Sequence, residues 1–140
     1  MTDREPSAGG TGETPSLVEP VLVAAFEGWN DAGEAASTAL EHLELSWDAQ
    51  PLTSIDPEEY YDFQVTRPHV KLADGITRKI EWQTTRLSWA TLPGTDRHVV
   101  LVSGIEPNMH WRAFCRELIG HVEKLGVTKV ITLGALLTLS

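Results

Sequence analysis

The chain repeats one pattern twice: an apolar run, a short polar segment, and then apolar residues at helical spacing. The first run covers residues 21–26 and the polar segment after it covers residues 27–33. The second run covers residues 99–102 and its polar segment covers residues 103–111. Unbroken apolar runs are typical of parallel strands buried on both faces. Because parallel strands bring the loops at their carboxyl ends to one edge of a sheet, we expect the two polar segments to meet there.

A helix is predicted after each polar segment. The apolar stripe of the first helix consists of Ala32, Ala35, Ala36, Ala39, Leu40 and Leu43. The stripe of the second consists of Trp111, Phe114, Cys115, Leu118, Ile119 and Val122. Both recur at the spacing of one helix face. Asp31 and Glu34 have the spacing of a capping box at the start of the first helix. A third buried strand is predicted over residues 127–133.

The hydrophobic period changes between residues 64 and 93, where apolar and polar residues alternate as they do in strands. Asp74-Gly75 is a hairpin-turn signal, and Pro93-Gly94 closes the segment. We interpret residues 64–93 as an antiparallel, β-rich insertion, preceded by a short strand over residues 52–55. The predicted fold class is therefore α/β, with a mostly parallel sheet and this insertion.

Composition restricts the classes of partner. The formal net charge is −9, from 11 basic and 20 acidic residues, which disfavours nucleic acid and anionic membrane surfaces. No apolar run approaches the roughly 18 residues that a membrane span requires. The first 19 residues lack the pattern of a signal peptide. A single cysteine excludes an internal disulfide framework. We therefore expect a cytoplasmic protein that binds neither nucleic acid nor membrane.

The domain organisation follows from where apolar residues begin and end. Residues 1–20 are rich in Gly, Pro, Ser and Thr, which predicts a flexible tail, with order beginning near Leu17. Residues 21–140 form the predicted α/β domain. The sequence stops shortly after the third strand, before a further crossover helix. We therefore expect these residues to be the N-terminal part of a longer domain.

Five segments resemble the bacterial branch of the proteasome assembly chaperone family, in the group named after its second member. The segments are Phe26-Glu27-Gly28-Trp29-Asn30-Asp31-Ala32-Gly33, Tyr61-Asp62-Phe63 with Arg67-Pro68, Gly75-Ile76-Thr77-Arg78-Lys79-Ile80-Glu81-Trp82, Gly104-Ile105-Glu106-Pro107-Asn108 with Trp111-Arg112, and Leu133-Gly134-Ala135-Leu136-Leu137. Each segment alone is weak, and their order along the chain is what makes the resemblance specific.

The resemblance implies a three-layer α/β sandwich of the phosphorylase/hydrolase type. Some members form homo-oligomers, and the eukaryotic relatives act in pairs during assembly of the proteasome α-ring. It implies no established reaction for bacterial members. Two departures from the family pattern stand out. Gln83 follows Glu81-Trp82 where the family usually has Pro, and Thr138 stands where a loop containing Asp, Pro and His normally begins.

Ten residues form the candidate ligand- or partner-binding set. They are Glu27, Gly28, Trp29, Asn30, Asp31, Arg78, Glu106, Asn108, His110 and Trp111. Gly28 can let a ligand approach the backbone, and the helix start near Asp31 can bind an anion, although its acidic residues repel one. The alternative is that Asp31 only caps the helix.

Carboxylates and a histidine from the two polar segments raise the possibility of acid–base chemistry or a divalent metal. The four side chains are Glu27, Asp31, Glu106 and His110. Their spacing matches no metal signature, and Glu106 and His110 also suit the flanks of a helix start. No catalytic residue, metal ligand or cofactor is assigned.

Three further features have two interpretations each. The cations Arg67, Arg78 and Lys79 form either a solvated strand face or a cluster that pairs with Asp62 and Glu81 or holds the carboxylate terminus of a partner. Trp82 either packs within the insertion or belongs to an exposed aromatic patch, and the same holds for Trp89. Cys115 is predicted to be a small buried hydrophobe rather than a nucleophile.

The leading functional prediction is a binding or assembly protein that acts through protein contacts and self-association as a homo-oligomer. The alternative is an enzyme that binds a small molecule, with a pocket built from the loops after Phe26, Val102 and Leu133. A third interpretation is a structural oligomer with a vestigial pocket. No Ser or Thr lies in a nucleophile elbow, which argues against the enzyme interpretation.

Overall fold

The computed structural model describes residues 14–138, and the part of the predicted tail before Thr14 lies outside them. Residues 14–138 form seven strands and two α-helices. In chain order they are β1 Val21–Glu27, α1 Ala35–Ser46, β2 Gln50–Ser54, β3 His69–Ala73, β4 Thr77–Glu81, β5 Arg86–Thr91, β6 His98–Ile105, α2 Trp111–Lys124 and β7 Lys129–Leu133. Short 3-10 turns lie at Ala32–Glu34 and Pro57–Glu59.

A five-stranded sheet forms the centre, in the order β2-β5-β6-β1-β7. Strands β6, β1 and β7 are parallel, while β5 runs antiparallel to both β6 and β2. The predicted α/β class with parallel central strands is confirmed, and the whole sheet is mixed. Strands β3 and β4 pair separately as a two-stranded sheet.

The two helices cover opposite faces of this sheet, and each strand contributes to both faces because successive residues point to opposite sides. On one face, Ala25 and Leu101 pack with Leu40 of α1. On the other face, Ala24 and Val102 pack with Leu118 of α2. The strands at the centre are therefore apolar on both sides, as the unbroken runs predicted.

Strand β5 corrects the predicted limits of the insertion. Arg86–Thr91 pairs with both β2 and β6 in the central sheet, and only β3 and β4 lie apart from it. The Pro93-Gly94 segment is the connection of a β5–β6 hairpin, in which the Leu92 N–H donates to the Arg97 carbonyl. Apolar–polar alternation is the same for a strand in an insertion and for one that returns to the sheet, so the pattern did not separate the two.

Strand β7, which was predicted to be buried, is exposed among residues 14–138. It lies at the end of the sheet, with β1 on its inner side and no strand on its outer side within residues 14–138. Val130 is 57% exposed and Ile131 is 43% exposed, although they point to opposite faces. An apolar run shows that a strand suits burial and does not show whether a neighbour covers it.

The first helix begins later than predicted, and its apolar stripe is narrower. Gly33 and Glu34 have φ values of 62° and 56°, which end the 3-10 turn before α1 begins. Ala36 and Leu40 are buried, whereas Ala35 is exposed, as is Ala39. Within the described part of the chain, neither helix is long and apolar enough to cross a membrane.

Ordered contacts begin near Leu17, as predicted. Leu17 packs against the core on the α2 side of the sheet. The backbone N–H of Val18 donates to Nδ1 of His98 over 2.7 Å. The last residues of the predicted tail are therefore part of the fold.

Candidate functional site

The two polar segments lie side by side at the carboxyl ends of β1 and β6. Glu27 is opposite Ile105 in the parallel register, and the Glu106 N–H donates to the Glu27 carbonyl over 3.1 Å. The parallel topology thus brings the loops together as the sequence predicted. The third segment, after β7, joins them, because Asp31 forms a parallel bridge to Ala135.

Gly28 allows this close approach of the loops. Its φ is 141°, a backbone conformation that favours glycine. A Cβ placed there would lie 2.6 Å from the carboxyl carbon of Glu106. The close approach at this glycine is therefore to a side chain of the protein itself, and Glu106 is held against the β1 loop.

Asp31 is a buried cap of α1. Its carboxylate accepts a hydrogen bond from the Ser37 N–H at 2.9 Å and one from the Ser37 hydroxyl at 2.6 Å. The side chain of Glu34 makes no capping hydrogen bond, so the predicted capping box is wrong, while the capping role of Asp31 is present. The left-handed turn at Gly33 and Glu34 lets Asp31 reach the third residue of the helix.

The same contacts set the pKa of Asp31. Burial by itself raises the pKa, but hydrogen bonds from Ser37 and from the Ala36 N–H outweigh it, so the net pKa lies below the usual range. A carboxyl with a lowered folded-state pKa stabilises the fold above its unfolded-state pKa. That stabilisation is lost as the pH falls through the folded-state value.

Replacing Asp31 with alanine is expected to lower the free energy of unfolding by about 1–2 kcal/mol at pH 7. The difference from wild type should shrink as the pH falls through the folded-state pKa of Asp31, since protonation weakens the same cap. Urea denaturation across the acidic range measures this. Glu34→Ala is the control, expected within about 0.5 kcal/mol of wild type. If Glu34→Ala lowered the free energy of unfolding as much as Asp31→Ala, the capping-box interpretation would be correct after all.

An apolar hollow opens between α2 and the ends of β1 and β7. Its volume is about 370 Å³. Phe26, Phe114 and Leu133 form much of its wall, and Asn30 and Glu106 contribute polar side chains. Trp111, which is 51% exposed, borders the same hollow. Three of the ten candidate residues therefore share one cavity.

Cys115 also lines this hollow and is exposed, so the prediction of a buried cysteine is wrong. The predicted apolar face of α2 divides in two. Phe114 is buried in the core, whereas Ile119, one turn after Cys115, is 53% exposed. The flank of α2 that carries Cys115 and Ile119 lies toward β7, where the described residues place no further layer.

A second hollow of about 600 Å³ lies beside the β1 loop; the sequence named Gly28 and Trp29 as candidates there and missed Leu136 and Leu137. It is lined by Gly28, Trp29, Ala32, Leu136 and Leu137. Trp29 is 89% exposed and Leu137 is 87% exposed. The available signal in the sequence was the apolar pair Leu136-Leu137, because it lies beyond the end of strand β7.

Asn108 and His110 do not line either hollow. The Asn108 side-chain oxygen accepts hydrogen bonds from the Asp62 N–H at 2.7 Å and from the Thr66 hydroxyl at 3.2 Å. Asn108 therefore fastens residues 62–66 to the loop before α2. His110 is exposed, and its carbonyl accepts the first backbone hydrogen bond of α2, from Phe114.

Glu27 and Arg78 lie apart from the apolar hollows. Glu27 borders a polar cavity of about 170 Å³ beside His69 and Arg86. Burial, and then the charge of Asp31, raise the pKa of Glu27. Arg78 lies on strand β4, outside the central sheet. No three His, Cys, Asp or Glu side chains within residues 14–138 are grouped to hold a metal ion, so the four side chains named as possible metal ligands do not form a cluster.

Two tyrosines hold residues 57–66 against the rest of the fold, a role that was not identified from the sequence. The Tyr61 hydroxyl donates to the Ile105 carbonyl at 2.6 Å and lies 2.9 Å from the hydroxyl of buried Thr85. The Tyr60 hydroxyl donates to Glu117 at 2.7 Å, and this bond, together with burial and the charge of Glu117, raises the pKa of Tyr60 to about 12. These bonds hold residues 57–66 against β6 and α2.

Comparison with known proteins places this geometry in a family. A sequence profile of the PAC2 family matches residues 25–140, which is most of the chain. The chain belongs to the PAC2 family. No functionally curated protein matches it.

Solved structures of similar proteins have the same fold. A PAC2 family protein from Streptomyces avermitilis MA shares 57% identity with a TM-score of 0.81, covering 85% of this chain and 51% of that one. The Mycobacterium tuberculosis proteasome-assembly chaperone homologue Rv2125 shares 55% identity with a TM-score of 0.78, covering 84% of this chain and 50% of that one. A Corynebacterium glutamicum ATCC 13032 protein of unknown function shares 27% identity with a TM-score of 0.75, covering 96% and 49%. This chain spans about half the length of these relatives.

Proposed function

We propose that this PAC2-family protein is a cytoplasmic binding and assembly protein, related in action to the proteasome assembly chaperones. In this proposal it works through protein contacts and self-association, and its complete fold is a three-layer sandwich of the phosphorylase/hydrolase type. Family membership and the description of the Mycobacterium tuberculosis relative as a proteasome-assembly chaperone homologue support the class of function.

The observation that carries the proposal is the apolar surface at the site edge. Trp29 is 89% exposed beside Leu136 and Leu137, which are 72% and 87% exposed. Contiguous exposed apolar side chains mark interaction sites, and aromatic residues supply much of the binding energy in interfaces. The polar candidates Asp31 and Asn108, by contrast, use their side chains to hold the fold.

We expect the full-length protein to bind a proteasome α-subunit of its own host, measured by native mass spectrometry of the mixed proteins. Trp29→Asp should weaken the complex at least about tenfold, because it places a charge in the apolar contact. Leu45→Asp is the matched control: Leu45 is 83% exposed on α1, away from the edge. Separate masses for the two wild-type proteins would contradict the proposal, and equal weakening by both variants would move the contact elsewhere.

The hollow beside α2 favours a second candidate, a protein that binds a small molecule. Its volume of about 370 Å³ lies within the range of ligand pockets, and Asn30 and Glu106 offer polar contacts in an apolar wall. A small molecule that co-purifies stoichiometrically and is lost on Glu106→Gln would support this function over assembly.

A further inference from the structure

A polar cavity of about 170 Å³ lies at the carboxyl ends of β1 and β6. Glu27 of β1 and Arg86 of β5 both border it. Ser103 of β6 lies between these strands, because it pairs with Ala25 of β1 on one side and with Arg86 on the other. Since paired residues and alternate residues of a strand share a face, Glu27 and Arg86 belong to the face on which Ala25 packs with α1. The sheet therefore brings a carboxylate and a guanidinium to one cavity.

The β3–β4 hairpin forms another wall of this cavity. Its turn is Asp74-Gly75, with φ values of 62° and 74°, as the hairpin-turn signal predicted. At its base, Trp82 borders the cavity and contacts Phe63, with ring centroids 4.7 Å apart. Lys71 and Glu81 of the hairpin also line the cavity, and they form an ion pair at 2.9 Å. These two charges therefore neutralise each other.

The charges of Glu27 and Arg86 are not neutralised in this way. Within the described residues, neither side chain forms an ion pair, with the other or with any third group. Burial raises the pKa of Glu44 on α1, and the charge of Arg86 offsets only part of that rise. A carboxylate and a guanidinium that share a small cavity without pairing are complementary to a ligand that carries both charges.

The electrostatics of the cavity give such a ligand one orientation. Burial raises the pKa of Glu27, and the charges of Asp31 and Glu34 raise it further. These surroundings disfavour the ionised form of Glu27, which a cationic group beside it would stabilise. Arg86 is always charged, and its planar set of N–H donors matches a carboxylate. The ligand's cation therefore belongs at Glu27 and its anion at Arg86.

Size and lining restrict the ligand further. A volume of about 170 Å³ is below the range of about 300–1,000 Å³ that drug-sized ligands and cofactors occupy. Much of the wall is polar, and His69 and Ser103 supply further hydrogen-bonding groups. Both Glu27 and Arg86 are exposed, so a ligand can reach them from solvent. These properties favour a small ligand whose two charges are close together, as they are in an α-amino acid.

We propose that this cavity binds a small free α-amino acid, with its ammonium group at Glu27 and its carboxylate at Arg86. The Ser103 hydroxyl lies between the two and can donate a hydrogen bond to the carboxylate. The inference goes beyond the proposed assembly function and does not depend on it. The cavity is also distinct from the apolar hollow beside α2 and from the exposed surface at Trp29.

Isothermal titration calorimetry of the full-length protein tests the proposal, with glycine, L-alanine and L-serine as probes. Propionate and ethylammonium are the matched control ligands, since each keeps one of the two charges of L-alanine. We expect an amino acid to bind at least about tenfold more tightly than either control, because each control leaves one charged hydrogen bond unmade. Glu27→Gln and Arg86→Gln should each weaken binding of the amino acid by a similar factor, for the same reason.

Arg112→Gln and Glu123→Gln are the control variants, because they make the same chemical changes on α2, which covers the other face of the sheet. Both should bind the amino acid as wild type does, and far-ultraviolet circular dichroism checks that every variant is folded. Absence of binding by all three amino acids overturns the proposal. Equal binding of propionate overturns it in favour of a simple anion site. Binding that survives both Glu27→Gln and Arg86→Gln also overturns it, because the ligand would then lie elsewhere. Binding of a proteasome subunit is measured independently and does not decide this test.

Discussion

Replacing Phe114 with alanine is expected to lower the free energy of unfolding by about 3–5 kcal/mol, because it empties the centre of an aromatic cluster. Phe114 is 3% exposed and packs edge-on against three aromatic rings. The ring centroids lie 5.4 Å from Tyr60, 6.4 Å from Phe26 and 6.5 Å from Tyr61. Alanine removes these contacts and leaves a cavity at the centre of the cluster.

The loss should also reach the candidate site. The Tyr60 carbonyl accepts hydrogen bonds from the N–H groups of Asn108 and Met109, so the aromatic cluster supports the loop between β6 and α2. Chemical denaturation measures the stability, and Phe63→Ala is the control because Phe63 is half-buried at the margin of the cluster. A loss in Phe114→Ala no larger than that in Phe63→Ala would contradict the central role of Phe114.

Replacing Gly104 with alanine is expected to cost about 1–3 kcal/mol, because the added methyl overpacks a closed part of the core. A Cβ at Gly104 would overlap the hydroxyl of Thr85 and lie 3.0 Å from the Thr85 Cα. Thr85 is fully buried and bonded to Tyr61, and the adjacent pair Arg86 and Ser103 belongs to the β5–β6 ladder. Neither strand can move away without loss of hydrogen bonds.

Gly120→Ala makes the same chemical change where the structure leaves space. Nothing lies within 4 Å of a Cβ at Gly120, which is inside α2. Alanine there should raise the free energy of unfolding by about 0.5–1 kcal/mol, since glycine weakens a helix interior. Urea denaturation should show that Gly104→Ala lowers the free energy of unfolding and that Gly120→Ala raises it. A stabilised or unchanged Gly104→Ala would contradict the contact with Thr85.

Two of the corrections come from limits of sequence patterns. The run over residues 127–133 is as apolar as a buried strand, but within residues 14–138 β7 lies at the end of the sheet and is exposed. The helical spacing of Cys115 put it on an apolar face, but that face of α2 is wider than the core it meets. Burial depends on the neighbours of an element, and local sequence does not identify them.

At the candidate site, too, the sequence predicted some features and not others. The meeting of the β1 and β6 loops followed from parallel topology, which the apolar runs and helical stripes predicted. The individual roles did not follow. Asp31 bonds to Ser37 rather than joining a capping box with Glu34, and Asn108 holds residues 62–66 instead of lining a cavity. Side-chain partners across the fold depend on distances that no spacing along the chain encodes.

The sequence alone determined the α/β class, the buried strands β1 and β6, the helices after them and the Asp74-Gly75 turn, because each of these depends on local periodicity or backbone preference. Only the tertiary structure decided that β5 belongs to the central sheet and that the β3–β4 hairpin exposes Val70, Leu72 and Ile80 to solvent. Alternation along a strand shows which side chains share a face. The direction in which that face points depends on how the strand is packed, and packing is a property of the whole fold.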